Sequence, residues 1–346
     1  MISFLDDNFS LLNQYISENQ PSLLLILVDE NTHEHCLPTL LGNLETDIPF
    51  EIIEIEPGEE VKNIETATLL WEVLTDFSTD RNALMINLGG GVITDMGGFV
   101  ASTYKRGIKF INIPTTLLAM VDASIGGKTG IDHGFYKNIV GTFSLPEKIF
   151  AYPKFLQTLE FTQLRSGFAE MLKHGLIASE SHWNNLKNIE LTPENLEAFV
   201  VDSMNVKQQV VEADFKEKNL RKTLNFGHTI GHAIESLFLQ AEHTIPHGEA
   251  VAAGMVMEAH LSFSSQLISK EILDEITNTI FKVYPQLPIE EFDKNDIFNL
   301  MLNDKKNIGG KIKFSIIDAI GHCLYDYEVS RAQIDEAIDY YVAIEQ

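Results

Sequence analysis

Four of the chain's eleven histidines fall between positions 228 and 247: His228, His232, His243 and His247. The stretch "NFGHTIGHAIES" sets His228 and His232 four residues apart, which on a helix brings both imidazoles to one face. That spacing can hold a Zn²⁺ ion, although no Glu stands between the two as in H-E-x-x-H. His247, in "IPHGEAVAAGM", opens another helical run and offers a third ring. An acidic donor is available as well. "RSGFAEMLKHGLI" (165–177) is apolar yet carries Glu170, Lys173 and His174, and a carboxylate among Phe168, Ala169, Met171 and Leu172 needs a partner. One Glu plus two His would leave the fourth position of a tetrahedral ion open, as at a catalytic zinc.

A second chemistry is written in cations held among glycines. "VDASIGGKTGID" (121–132) ends like a P-loop, but that loop needs a glycine five positions before Gly127, where Asp122 stands. Lys128 is therefore not the lysine of a nucleoside triphosphatase. Arg106 in "YKRG", Lys137-Asn138 in "FYKNIVG", Lys207, Arg221 in "KNLRKTLNFGH" and Lys305-Lys306 in "NDKKNIGGK" share its character. The chain holds 50 acidic against 25 basic residues, a formal charge of −25. Against that background the basic residues predict a local site for a small ligand with more than one negative group. The same balance argues against nucleic acid or an anionic membrane surface as partner.

The third signal is "INLGGGVITDMGGFVAS" (86–102), three glycines between an apolar run and a helical one. Such a turn lets backbone N–H groups approach a phosphate at the positive end of a helix. It is not G-x-G-x-x-G, so the usual dinucleotide fingerprint is absent. Asp95 falls in the first turn of that helix. Glu59 and Lys62, in "EPGEEVKNIE", and Asp29 follow strand ends, where open sheets place ligands such as a ribose or a pyrophosphate.

These residues need elements to hold them. "LLLILV" (23–28), "FEIIEIE" (50–56), "ALMINL" (83–88) and "KFINI" (109–113) read as strands, and 64–77 carries apolar residues at helical spacing. Alternating strands and helices imply a parallel sheet with helices packed on it. Past residue 155 the period changes to 3.6 over 162–179, 193–213, 222–240, 247–267, 270–283 and 331–344, with only "KIKFSII" (311–317) as a strand. A second, mostly α-helical domain is expected, joined to the first between Pro146 and Pro153. Cys36 and Cys323 stand 287 positions apart without metal-type spacing, as lone thiols do in a reducing compartment. The start has no signal-peptide pattern and no apolar run is long enough to span a membrane, so a cytoplasmic location is expected.

The run "GGGVITDMGGFVASTYKRGIKFINIPTTLLAMVDASIGGKTGID…KNIVG", with "FAEMLKHGLI", "LRKTLNFGHTIGHAIE", "HGEAVAAGMV" and "DKKN", resembles the 3-dehydroquinate synthases among the sugar phosphate cyclases. The resemblance spans about residues 25–325, with its motifs in family order. It implies an α/β Rossmann-like NAD-binding domain over 1–153 and a helical metal- and substrate-binding domain over 154–346. It implies Glu170, His228 and His247 as Zn²⁺ ligands, with Co²⁺ an alternative occupant, and moves His232 to the substrate site. The NAD site would use Asp29, Glu59, Lys62, Gly90, Gly91, Asp95, Thr115, Thr116, Lys137 and Thr158. The substrate site would use Arg106, Asp122, Lys128, Asn138, Lys173, Lys207, Glu217, Arg221, Asn225, His232, and Lys305 or Lys306. Arg106 would reach a neighbouring subunit, which implies a homodimer. Two positions depart from the family: Asp132 where Asn is common, and Tyr136 where Gly is usual.

The family substrate, 3-deoxy-D-arabino-heptulosonate 7-phosphate, bears a carboxylate and a phosphate, which would account for the cations. The implied reaction oxidises the substrate transiently with NAD⁺, eliminates phosphate, reverses the oxidation and closes a carbocycle by an aldol step. An alcohol or glycerol dehydrogenase of similar plan would not need Lys128, Lys137, Lys207 and Arg221 together. A cyclase for a substrate without a carboxylate would not need Lys207, Arg221 and Asn225.

Overall fold

The computed structural model describes residues 1–134, 136–302 and 312–344. The chain divides into two units, Met1–Glu160 and Phe161–Gln346. The first unit contains strands β1 (Ile2–Phe4), β2 (Leu24–Asp29), β3 (Phe50–Ile55), β4 (Leu84–Gly89), β5 (Lys109–Pro114), β6 (Lys128–His133), β7 (Tyr136–Phe143) and β8 (Ile149–Ala151). Six of them form a sheet in the order β1-β8-β5-β4-β2-β3, and every pairing in it is parallel. Residues 24–28 of β2 and 84–89 of β4 are wholly buried, as strands covered on both faces must be. β3 lies at the sheet edge, and there the alternation of "FEIIEI" leaves its glutamates exposed. Helices Ile64–Asp76 and Gly91–Thr103 pack Leu70, Leu74, Met96 and Phe99 against Leu25, Leu27 and Met85 of the sheet.

Four strands of this unit leave no readable period in the sequence. β1 and β8 have three residues each, too few to show a period, and pair with one another. The Gly-rich stretch after the P-loop look-alike is β6, paired with β7 as an antiparallel hairpin. Its Thr129, Gly130 and Ile131 are all buried, so no buried–exposed alternation marks it, and Gly130 and Gly134 weaken the strand signal further.

The second unit is built on helices Phe161–Ala178, Pro193–Ala213, His228–Gln240, His247–Ser264, Lys270–Phe281 and Arg331–Val342, with β9 (Lys313–Ala319) and β10 (His322–Glu328) antiparallel. The His247–Ser264 helix is buried from Gly248 to Ser262, so it is the central element around which the others pack. The expected helix 222–240 is broken. Leu220–Asn225 forms a 3₁₀ turn, Gly227 takes φ 79°, and the α-helix starts at His228. β10 was missed because register shifts on both sides of Cys323-Leu324 interrupt its alternation. Among the described residues no helix is long and apolar enough to cross a membrane.

Candidate active site

In the first unit, the carboxyl ends of neighbouring strands bring the cofactor candidates together. Gly89 closes β4, and its carbonyl accepts the Thr115 N–H at the end of β5. Gly90 precedes the Gly91–Thr103 helix without a side-chain cap, so the first N–H groups of that helix are left for a ligand. A Cβ on Gly90 would lie 3.0 Å from Thr116 Cγ2, which leaves room there for backbone but little else. Lys62 is buried and its Nζ donates to Asp95 Oδ2 at 2.8 Å, with Glu59 Oε1 at 3.5 Å. Burial alone would push the Lys62 ammonium down; the Asp95 and Glu59 carboxylates outweigh it and hold the lysine protonated. Asp29 ends β2, but its carboxylate already caps the Glu30–His35 helix by accepting the Thr32 N–H at 2.8 Å. Thr158 closes the Pro153–Thr158 turn of this unit, and its hydroxyl donates to Phe155 O.

The substrate candidates of this unit lie on short, irregular backbone. Asp122 sits in a π-helical turn, Ala119–Ala123, a form of helix that recurs at functional sites. Asn112 fastens that turn to the sheet: its amide donates to Ser124 O at 3.3 Å and its carbonyl accepts from Asn87 at 2.9 Å. Both asparagines are buried in the middle of strands, a signal present in "MINL" and "FINI" that periodicity does not weigh. Lys128 opens β6 exposed, and Asn138 has φ 52°. The Asn138 N–H donates to Asp132 Oδ1 at 2.6 Å, so the family departure at 132 braces the loop that carries Lys137 and Asn138. Arg106 ends the Tyr104–Arg106 turn, exposed, with φ 67°.

In the second unit, Glu170 is fully buried on the Phe161–Ala178 helix and divides its two oxygens. Oε2 accepts from Lys173 Nζ one turn on. Oε1 has no hydrogen-bond partner among the described residues, yet lies 3.4 Å from His228 Nε2 and 3.9 Å from His247 Nε2. A tetrahedral ion with bonds of about 2.0–2.1 Å keeps its donors about 3.3 Å apart, so an orphaned oxygen facing two ring nitrogens fits a zinc-type ion. The other ring nitrogens are spoken for. His228 Nδ1 lies 3.1 Å from Phe226 O, and His247 Nδ1 lies 3.1 Å from Glu235 Oε2. A carbonyl can only accept, so His228 carries its proton on Nδ1 and leaves the Nε2 lone pair toward Glu170. Burial first, and the Lys173 ammonium second, push His228 down to about 3, which keeps it neutral. Burial would raise the Glu170 carboxyl, but the Lys173 ammonium beside it holds it well below the carboxylate range.

His232 is also close. Its ring centroid is 5.2 Å from that of His228 and 5.8 Å from that of His247, and one ring nitrogen of each lies within 4.8 Å of the others. The bare geometry thus offers His232 as a third imidazole beside Glu170.

Close helix packing sets this arrangement. Gly248 donates its N–H to Ser166 Oγ at 3.0 Å, and a Cβ there would fall 2.1 Å from Ser166 O; Ser166 lies one turn before Glu170. Buried Glu258 accepts the Gly227 and Ile230 N–H groups at 2.7 and 3.1 Å, holding the start of the helix whose first residue is His228. A helix N-terminus is one of the few interior environments that suits a carboxylate. Neither Glu235 nor Glu258 was singled out in the sequence, because glutamate in a helical run reads as surface. The buried cations Lys207 and Arg221 complete the unit, and Asn225 Nδ2 donates to Glu217 Oε1 at 3.0 Å across the Leu220–Asn225 turn. Lys305 and Lys306 lie outside the described residues.

Comparison with known proteins decides the family. Residues 52–166 match the model for the 3-dehydroquinate synthase N-terminal region, and 167–307 match that for its C-terminal region. A 3-dehydroquinate synthase from Parabacteroides distasonis is 42% identical over 337 residues, covering 95% of this chain and 94% of the relative. The chain belongs to the 3-dehydroquinate synthase family. Two solved structures at 25% identity carry the same fold. One is 2-epi-5-epi-valiolone synthase from Streptomyces hygroscopicus subsp. jinggangensis with NAD⁺ and Zn²⁺ bound, at TM-score 0.86, covering 99% of this chain and 96% of that one. The other is 2-deoxy-scyllo-inosose synthase with carbaglucose-6-phosphate, NAD⁺ and Co²⁺, at TM-score 0.83, covering 98% and 96%. Membership in the 3-dehydroquinate synthase family and these neighbours agree with the expected α/β plus helical fold and with NAD and a Zn²⁺ or Co²⁺ ion as cofactors.

Proposed function

We propose that this chain converts 3-deoxy-D-arabino-heptulosonate 7-phosphate to 3-dehydroquinate and phosphate, a carbon–oxygen lyase reaction of aromatic amino acid biosynthesis. The observation that carries the reading is the 42% identity to a 3-dehydroquinate synthase over 95% of the chain, against 25% to cyclases of other sugar phosphates. Glu170, His228 and His247 would hold the ion, and Gly90, Gly91, Lys62 and Asp95 would receive NAD. Bound there, the ion supplies Lewis-acid polarisation of a substrate hydroxyl, and NAD supplies an oxidation that is reversed before product leaves.

The chain's own residues bind and orient. Lys207 and Arg221, buried and cationic, suit the substrate carboxylate and phosphate, and Arg221 is already steadied by its Nη1 bond to Phe215 O at 2.7 Å. On the first unit, Lys128 and Asn138 of the β6–β7 hairpin suit an anionic ligand, and Asp122 suits hydroxyls. Lys173 holds one oxygen of Glu170, which turns the other toward the imidazoles. Fixing a phosphate in line for departure is the kind of positioning that lowers an elimination barrier without new chemistry from the protein.

A homodimer in the cytoplasm, with Arg106 serving the neighbouring copy, completes the reading; sedimentation as a single chain at assay concentration would count against it. The function itself is tested by offering two substrates, the heptulosonate phosphate and a sugar phosphate of equal length without the carboxylate. Phosphate release confined to the first is expected. Equal release from both would contradict the assignment to dehydroquinate.

A further inference from the structure

The His247 ring is held on its far side by a carboxylate that none of the roles above employs. Glu235 Oε2 lies 3.1 Å from His247 Nδ1, and the Glu235 side chain is only 11% exposed. Glu235 belongs to the His228–Gln240 helix, two turns beyond His228 and on the same face. It therefore reaches from the helix that begins with one candidate ligand to the first residue of the helix that begins with the other. The two rings are not held alike. His228 is 11% exposed and donates to a backbone carbonyl; His247 is 28% exposed and stands at a helix start that has no side-chain cap. The looser ring is the one that meets a charged acceptor.

We propose that Glu235 is a positioning residue of the metal site: it accepts the Nδ1–H of His247, fixes that tautomer, and turns Nε2 toward Glu170 Oε1. The inference rests on Glu170, His228 and His247 being the ligands. A carboxylate does two things here that the Phe226 carbonyl cannot do for His228. Its negative charge makes the imidazole a stronger donor, and its side-chain attachment ties the ring orientation to the packing of two helices. A glutamate present only to solubilise the helix, or to pair with a protonated histidine, would leave metal binding untouched.

The test uses the purified full chain, stripped of metal, with Zn²⁺ affinity read by competition against a chromogenic chelator and ligand geometry read from the visible spectrum of the Co²⁺-loaded protein. Glu235→Gln and Glu235→Ala are expected to weaken Zn²⁺ binding about 10–100-fold and to shift the Co²⁺ bands, with the metal-free unfolding temperature kept. Wild-type affinity and spectrum in both variants would overturn the proposal. Should Glu235→Ala lower the metal-free unfolding temperature, Glu235→Gln, which preserves shape, decides. Glu170→Ala run beside them separates the two levels: if it binds Zn²⁺ like the wild type, the ligand set itself is wrong; if it loses Zn²⁺ while Glu235→Gln does not, only the role of Glu235 fails.

Discussion

Glu170 gives one oxygen to Lys173 and leaves the other facing His228 and His247. On the proposed reading this second oxygen joins His228 and His247 at the ion, while His232, on the same helix face as His228, serves the substrate. The expected consequence is specific. Glu170→Ala should lose bound zinc and turnover together, whereas His232→Ala should keep close to one zinc per chain and lose turnover, as atomic absorption and phosphate release would show. Zinc kept by Glu170→Ala and lost by His232→Ala would reverse the assignment in favour of the three imidazoles. The sequence carried the clue to a metal but not the choice of ligands, because an i, i+4 pair puts both rings on one face and says nothing of what their far nitrogens meet. Phe226 O and Glu235 settle those nitrogens, and a carbonyl or a helical glutamate leaves no mark in a spacing pattern.

Two helices that each begin with a histidine can hold one ion only if their backbones come close, and glycine permits it. A Cβ on Gly254 would lie 1.9 Å from the Gly227 carbonyl oxygen, a contact that no rotamer relieves because both groups are backbone. Gly254→Ala should therefore push the His247–Ser264 helix off the His228–Gln240 helix. We expect a loss of about 1–3 kcal/mol, read as a lower urea midpoint, together with weaker zinc retention. A variant with wild-type midpoint and wild-type zinc would show that the packing does not set the site. At this scale the long helices and the buried strands β2 and β4 were legible, since apolar runs and a 3.6 period survive any context. The β6–β7 hairpin was not, and it is the element that presents Lys128, Lys137 and Asn138. Glycines chosen for turning and close approach weaken the signal that marks a strand. The break at Gly227 hid in the same way inside a continuous helical period.

Over the whole molecule, the charge of −25 makes each buried cation informative. Lys62, Lys173, Lys207 and Arg221 are all buried, and none of them is placed there by the needs of an apolar core. Cations held among glycines in so acidic a chain point to an anionic small ligand; the family membership supplies which one, and the physics of spacing could not have told a heptulosonate phosphate from another phosphorylated sugar acid. On the proposed function NAD is a cofactor returned to its starting state and not a consumed co-substrate. That return is tested most directly by giving the zinc-loaded chain excess heptulosonate phosphate with NAD⁺ at a small fraction of the substrate, and following phosphate and NADH absorbance together. Phosphate released in large excess over NAD⁺, with a flat NADH signal, is the expected result. Phosphate release that stops once NAD⁺ is spent, or NADH that accumulates mole for mole with turnover, would contradict it.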